Sequence, residues 1–157
     1  MFFNKIFKKK NKIDKVENTI VNSNKIKDTN IDELEESISM MAKSDSSNDF
    51  QLDNFLENFF KTDKYFILEV SRVSGENKQY IEIIDDSLSA IIFTSRKKAN
   101  MYLNNEIEPI KSGKDGNIII TQRSPEDIFD YIIELKENNV ERILFNYPSE
   151  WISFNIK

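Results

Sequence analysis

Amphipathic helices account for the apolar positions in the first part of the chain. In two segments the apolar side chains recur every three or four residues, which is the spacing of one helix face. The first set is Ile31, Leu34, Ile38 and Met41. The second set is Leu52, Phe55, Leu56 and Phe59. These sets predict a helix over 31–42 and a second helix that begins after Asp49, with a polar linker over 43–49 between them.

From residue 64 the pattern changes to strands. Short runs of β-branched and aromatic residues, bounded by turn-forming residues, predict strands. These runs are 65–73, 79–84, 89–95, 117–121, 142–146 and 151–156. Helices are predicted between them, one over 95–105 and one that begins at Pro125, with Ser124 as its N-cap.

The order of these elements predicts the fold class. From residue 50 it is α-β-β-β-α-β-α-β-β, which predicts an α/β domain with a mixed sheet of about five to six strands and helices packed on it; an α+β fold stays open. The linking helices allow right-handed parallel crossovers between the third, fourth and fifth strands. We take residues 50–157 as this domain and residues 1–49 as a mostly disordered or helical N-terminal tail. One core is expected from Phe55, Phe66, Leu68, Ile92, Phe93, Ile119, Ile132, Leu144 and Phe145.

Composition excludes several kinds of chemistry. The chain has no cysteine and no histidine, so disulfides, thiol nucleophiles, thiolate metal sites and histidine-based triads cannot form. With three glycines in all, a glycine-rich phosphate loop cannot form either. Enzymes that use Asp, Glu, Lys, Tyr or Ser stay allowed, but no spacing supports one. We therefore expect no catalytic residue, no cofactor and no metal.

The net charge of the chain bears on its partners, and its amino-acid composition bears on its source. The net charge of −5 argues against nucleic acid as a partner, because such binding relies on excess cationic charge at the phosphates. Isoleucine, lysine and asparagine occur 23, 18 and 18 times, and all three have AT-rich codons. The sequence therefore indicates a low-GC bacterium or one of its mobile elements.

The N-terminal segment has two interpretations. Residues 1–12 combine four apolar residues, Phe2, Phe3, Ile6 and Phe7, with five lysines. A short basic and apolar helix of this kind binds a membrane surface only weakly, so membrane contact is expected through residues 2–10 if at all. The alternative is a disordered N-terminus. The segment lacks the uninterrupted apolar run of a secretory signal, and we expect a cytoplasmic protein.

Three polar segments are candidate sites with a plain structural alternative. The acids Glu82, Asp85 and Asp86 beside a strand end are interpreted as a solvated turn and not as a metal site. The segment 112–116, SGKDG, is interpreted as a turn. The segment 93–99, FTSRKKA, ends a strand and begins a helix with three cations, so it predicts either ordinary N-capping or an anion site at the helix N-terminus.

Two strand ends are expected to form a binding surface. Ligands and partners favour the carboxyl ends of strands in open sheets with crossover helices. The residues at these ends are Phe93, Thr94, Ser95 and Arg96 after one interior strand, and Asn146, Tyr147 and Pro148 after another. If the two strands are parallel neighbours, Thr94, Ser95, Arg96 and Asn146 converge. Tyr147, Trp151 and Phe154 are a candidate aromatic patch for a protein partner, with core packing as the alternative.

Segments of residues 50–157 together resemble the N-terminal domain of the SseB family, the enhanced serine sensitivity proteins and their relatives. They are the helix and strand at 55–70, the strand and helix at 90–103, and the helix and strand at 124–151. The family pattern of Phe-Thr-Ser followed by an early helical Ala is matched by residues 93–95 and Ala99. Its apolar strand ending in Asn-Pro is interrupted here by Tyr147.

The resemblance implies an α/β domain without established catalytic activity, in a family whose members look like accessory or interaction modules. We therefore expect a non-enzymatic cytoplasmic module that binds another protein. The alternatives are a peripheral membrane adaptor held weakly by residues 2–10, and an immunity-type protein that neutralises a basic partner.

Overall fold

The computed structural model describes residues 4–10, 29–43, 49–72, 74–106 and 116–157. The chain divides into two compact units, Met1–Asp63 and Lys64–Lys157. Residues 1–3, 11–28 and 44–48 of the tail predicted to be disordered or helical, and all but the last residue of the turn predicted at 112–116, lie outside the described residues.

The described part of the first unit is helical. It consists of α1 (4–10), α2 (Thr29–Lys43) and α3 (Asp49–Lys61). The buried Asn58 of α3 donates from Nδ2 to Ser37 Oγ of α2 at 2.8 Å. Lys5 of α1 pairs with Asp49 of α3 at 2.8 Å. These contacts connect α3 to α2 and α1. The sequence analysis instead assigned α3 to the domain that follows it. That residues 50–157 fold as one domain stays a prediction.

The second unit is an α/β unit with a mixed sheet, as the sequence predicts. In the described residues its strands are β1 (Tyr65–Ser71), β2 (Asn77–Gln79), β3 (Glu82–Ile84), β4 (Ser87–Phe93), β5 (Asn117–Arg123), β6 (Arg142–Phe145) and β7 (Ile152–Asn155). Its helices are α4 (Arg96–Asn105) and α5 (Pro125–Glu137). Ser124 caps α5 in a capping box with Asp127, which confirms the predicted start of that helix.

The sheet has five strands across its width, in the order β5-β1-β4-β6-β7. The pair β4–β6 is parallel and the others are antiparallel. Strands β1 and β4 pair only through Phe66↔Phe93 and Ile67↔Ile92; beyond that point β2 pairs with β1 and β3 pairs with β4. The segment 79–84, which was predicted to be a single strand, therefore belongs to two strands: β2 pairs with β1, and β3 pairs with β4. The prediction of a parallel crossover into β5 was also wrong, because β5 pairs with β1 in the antiparallel orientation.

The two faces of the sheet carry separate apolar layers. Alternation along β1 directs Phe66 and Leu68 to the face covered by α4, where they join Phe93 and Leu144. On the opposite face Tyr65 meets Phe145, with ring centroids 6.4 Å apart. The expectation of one core was wrong, because alternate side chains of a strand point to opposite faces of the sheet. Ile92 and Phe145 belong to the apolar layer on the face opposite α4.

The β3–β4 hairpin turns through two acids with left-handed backbone. Asp85 has φ +47° and Asp86 has φ +60°, the geometry of a two-residue type I′ turn, which confirms the predicted turn. A side chain in this region costs free energy that glycine avoids. We expect Asp86→Gly to raise the free energy of unfolding by about 0.5–1 kcal/mol in urea titration. A lowered urea midpoint would contradict the strain assigned to this turn.

Candidate functional site

Two loops converge where β4 and β6 end, and we call residues 94–96 and 146–148 the β4–β6 loop site. The parallel register Ile91↔Leu144 and Ile92↔Phe145 brings both strands to the same side of the sheet. Asn146 Oδ1 accepts hydrogen bonds from the Thr94 backbone N–H at 3.0 Å and from Thr94 Oγ1 at 3.1 Å. The predicted convergence of these loops is confirmed; their role in binding stays a prediction.

Both the backbone and the side chain of Asn146 form hydrogen bonds that fix its position. Its backbone N–H donates to the Ile92 carbonyl at 3.0 Å, and its side chain receives the two bonds from Thr94. Its backbone is left-handed, with φ +60°, a region that Asn tolerates better than most residues. Asn146 and Thr94 are both buried. The pair therefore locks the two loops together at the strand ends.

The start of α4 is an ordinary N-cap. Ser95 Oγ accepts from the backbone N–H of Lys98 at 3.3 Å, so the capping interpretation of 93–99 is the one that the geometry supports. Arg96 is exposed at the first helical position. Its guanidinium carbon lies 6.0 Å from the centroid of the Phe66 ring, at the limit of a cation–π contact.

A row of aromatic rings runs from the core to the surface beside the loops. Phe93 contacts Tyr102 at 5.6 Å between centroids, Tyr102 contacts Tyr147 at 6.1 Å, and Tyr147 contacts Trp151 at 5.3 Å. Tyr147 and Trp151 are half-buried against the α4 layer. For Phe154 the core-packing alternative holds: it is buried on the opposite face, where its ring meets Phe145 at 6.0 Å.

Burial raises the pKa of two tyrosines behind the site. Burial, and next the hydrogen bond that Tyr102 Oη donates to Glu82, hold the pKa of Tyr102 well above its ordinary value. Burial and the charge of Glu82 raise the pKa of Tyr80 to about 12. Both phenols carry their protons at neutral pH, as an ordinary tyrosine does, and both donate toward Glu82, which is partly buried. Within the described residues no three acidic side chains come together as a metal ion requires.

A small cavity opens between α4 and the loop after β6, and we call it the α4 pocket. Its volume is about 160 Å³. It is lined by Lys98, Met101, Tyr102, Asn105, Glu106, Asn146, Tyr147, Pro148 and Ser149. Asn146 Nδ2 is buried and has no hydrogen-bond partner in the described part of the chain. The pocket thus places one unpaired donor beside the apolar side chains of Met101 and Pro148, with charged and polar side chains also in its lining.

Sequence reasoning named Asn146, Tyr147 and Pro148 but missed Met101. Met101 is about half exposed and stands at the rim of the pocket. The signal was an apolar residue lying off the buried α4 stripe of Ala99 and Tyr102. A single exposed apolar side chain is ordinary on a protein surface, so Met101 bears on the site only through its position at the rim of the pocket.

Comparison with known proteins gives no relative for this chain: no family model matches it, and no curated protein does. In the described residues, none of the helices has the length and apolar character needed to cross a membrane.

Proposed function

We propose that this chain is a non-enzymatic module that binds another protein at the β4–β6 loop site. The observation that carries the proposal is Asn146 Nδ2, a buried donor at the wall of the α4 pocket without a partner in the described residues. A buried donor left unpaired costs about 1–3 kcal/mol. A partner that supplies an acceptor recovers this free energy when it binds.

The size of the α4 pocket supports a protein partner over a small-molecule ligand. A pocket for a drug-sized ligand has about 300–1,000 Å³, and this one has about 160 Å³. That is room for one apolar side chain. In the proposed complex an apolar side chain of the partner lies against Met101 and Pro148, and an adjacent backbone carbonyl accepts from Asn146.

The residues around the pocket suit an interface. Tyr, Trp and Arg are enriched where binding free energy concentrates. Tyr147 and Trp151 present half-buried rings, whose positions are fixed by the aromatic row, and Arg96 is exposed on the same side. Ordering such pre-positioned side chains on binding costs little conformational entropy.

The relationship to the SseB family and a cytoplasmic location are further parts of this proposal. The relationship is supported by the Phe-Thr-Ser end of β4, the early Ala99 of α4 and the strand before Pro148. Cell fractionation tests the location: the chain is expected in the soluble cytoplasmic fraction, and recovery with membranes would contradict it.

The two alternative functions have less support. A membrane anchor needs its apolar face free, but Ile6 is buried, and Lys5 and Lys9 of α1 pair with acids of α3. An immunity-type role is one version of protein binding. It predicts that the partner is strongly basic.

The experiment is capture followed by affinity measurement. The full chain is used to isolate a partner from a lysate of its source, and the purified partner is titrated against Arg96→Ala and Tyr147→Ala. Because each change removes an interface side chain, we expect each to weaken the affinity by about ten-fold or more.

Matched controls are available on the same unit. Arg72→Ala and Ile83→Ala remove an exposed arginine and an exposed apolar side chain away from the loops, and the affinity is expected to be unchanged. Full affinity in both loop variants, with their circular dichroism intact, would refute the proposed surface. A metabolite turned over by the chain, with the activity lost on changing one acid, would refute the non-enzyme part.

A further inference from the structure

A second and larger cavity lies on the opposite face of the sheet, between α5 and the strands β1, β2 and β5. We call it the α5 groove; its volume is about 860 Å³, within the range of about 300–1,000 Å³ that is typical of small-molecule sites. Apart from Ile81, each residue that lines it in the described chain has a polar or charged side chain. The centre of a protein interface is depleted of charged residues. The lining therefore favours a hydrophilic small molecule.

Charged side chains of the groove are engaged within the chain itself. Glu69 is 5% exposed, and its carboxylate accepts from Arg123 Nη2 at 2.7 Å and from Thr121 Oγ1 at 2.5 Å. Asp127 Oδ2 accepts from the backbone N–H of Ser124 at 3.2 Å in the capping box of α5. A buried charge is stable only when such donors satisfy it. These bonds fix the floor of the groove, and recognition of a ligand therefore rests on its neutral groups.

Two neutral groups in the lining have a buried polar atom without a hydrogen-bond partner in the described residues. They are the Nε2 amide nitrogen of Gln79 and the Oη of Tyr131, a residue that is 6% exposed. Gln79 Oε1 accepts from Asn138 Nδ2 at 3.5 Å, so the nitrogen is the end of the amide that is left unpaired. Gln79 is the cross-strand partner of Glu69, and the charge of Glu69 also acts on Tyr131. Both unpaired groups are therefore neighbours of the same carboxylate.

We propose that the α5 groove binds a neutral carbohydrate through a hexose unit. The amide N–H of Gln79 needs an acceptor, and a phenol hydroxyl such as that of Tyr131 both donates and accepts. A sugar hydroxyl meets both needs, because it has one donor and two acceptor lone pairs. In the proposed complex one hydroxyl accepts from Gln79 Nε2, and a hydroxyl on a neighbouring ring carbon pairs with Tyr131 Oη. These bonds recover the free energy that two buried unpaired groups cost in the unbound chain.

Other kinds of ligand match the groove less well. Five acids and two bases line it, so an anion is repelled. A cation gains little at Glu69, because the guanidinium of Arg123 already pairs with that carboxylate. The backbone of an uncharged peptide offers carbonyl acceptors to the same two groups, but a peptide that buries its side chains needs a more apolar lining.

The test uses the hexoses glucose, galactose and mannose, each titrated into the full chain and followed by saturation-transfer NMR and calorimetry. At least one of them is expected to bind, one molecule per chain, with a Kd of about 1 mM or lower. Tetrahydropyran has the same six-membered ring without hydroxyls and is expected not to bind. Putrescine and an N-acetylated trialanine amide represent a cation and an uncharged peptide. Both are expected to bind at least about ten-fold more weakly than the hexose.

Two variants remove the unpaired groups. Tyr131→Phe removes only the hydroxyl, and Gln79→Ala removes the amide; each is expected to weaken hexose binding by about three- to ten-fold, the loss of one hydrogen bond. Gln122→Ala is the matched control, because Gln122 is exposed in β5 and lies outside the groove. Its affinity is expected to equal that of the unmodified chain.

The readout of Tyr131→Phe is independent of misfolding. Removing an unpaired buried hydroxyl is expected to leave the unfolding midpoint unchanged or higher, so a loss of affinity cannot come from a damaged fold. If the unmodified chain binds none of the hexoses, water alone occupies the groove and the proposal is overturned. Full affinity in both Tyr131→Phe and Gln79→Ala, an equal loss in Gln122→Ala, or equally tight binding of putrescine or the peptide would overturn it as well. Each outcome is separate from the loop site, whose variants lie on the other face.

Discussion

Replacing Phe93 by Ala is expected to lower the free energy of unfolding of the second unit by about 3–5 kcal/mol. Phe93 has no exposed surface and lies at the centre of the α4 layer, where its ring contacts Tyr102. It also helps to hold the sheet together, because it forms one of the two residue pairs that join β1 to β4. The loss of its ring leaves a cavity between rigid strands that cannot collapse around it.

Leu88→Ala is the matched control for this measurement. Leu88 is in the same strand but 41% exposed, so its removal is expected to cost less than about 1 kcal/mol. Urea unfolding followed by tryptophan fluorescence reports on both variants, since Trp151 packs on the same layer. Equal midpoints for Phe93→Ala and Leu88→Ala would show that β4 is not central to the fold.

The second large effect is expected at Asn146. Asn146→Ala removes the acceptor of the Thr94 N–H and hydroxyl, which are buried, at about 1–3 kcal/mol, and forces alanine into a left-handed backbone at about 1 kcal/mol. The same change also removes the unpaired Nδ2, which offsets part of this cost, so we expect a net loss of about 1–3 kcal/mol. Asn146→Gly keeps the first loss but avoids the second, so it is expected to be the more stable of the two variants. Urea midpoints that rank Ala above Gly would contradict the role assigned to the backbone conformation.

Local signals in the sequence predicted the helices well. The Ser-Pro start of α5 and the Thr-Ser start of α4 were found from capping chemistry alone, because a helix N-terminus depends on residues next to each other in the chain. Most strands were found for the same reason, from runs of β-branched residues.

Strand partners were harder to predict. The apolar run 118–120 suits an interior parallel strand as well as an antiparallel one, and its place beside β1 is set by contacts some fifty residues away in sequence. The segment 79–84 pairs first with β1 and then with β4, because these two strands pair with each other at only two positions. Such pairings with distant strands are not encoded in the residues of the segment itself.

The loop site was predicted in outline because one assumption, a parallel β4–β6 pair, was enough to bring Thr94 and Asn146 together. The unpaired Nδ2 of Asn146 and the exposure of Met101 depend on how the loop packs against α4, which no pattern encodes. The hydrogen-bonded carboxylate of Glu69 was missed, although its place in the sequence was a signal: a charged residue inside an otherwise apolar strand predicts a buried, hydrogen-bonded carboxylate.

The most direct test of the loop site is hydrogen–deuterium exchange of the chain with and without its purified partner. Binding at the strand ends predicts slower exchange in the complex at the backbone amides of 94–98 and 146–151, apart from Pro148, which has no amide proton. Exchange along α5 is expected to be unchanged. A stable complex in which both loops exchange as they do in the free chain, while another surface is protected, would contradict the account.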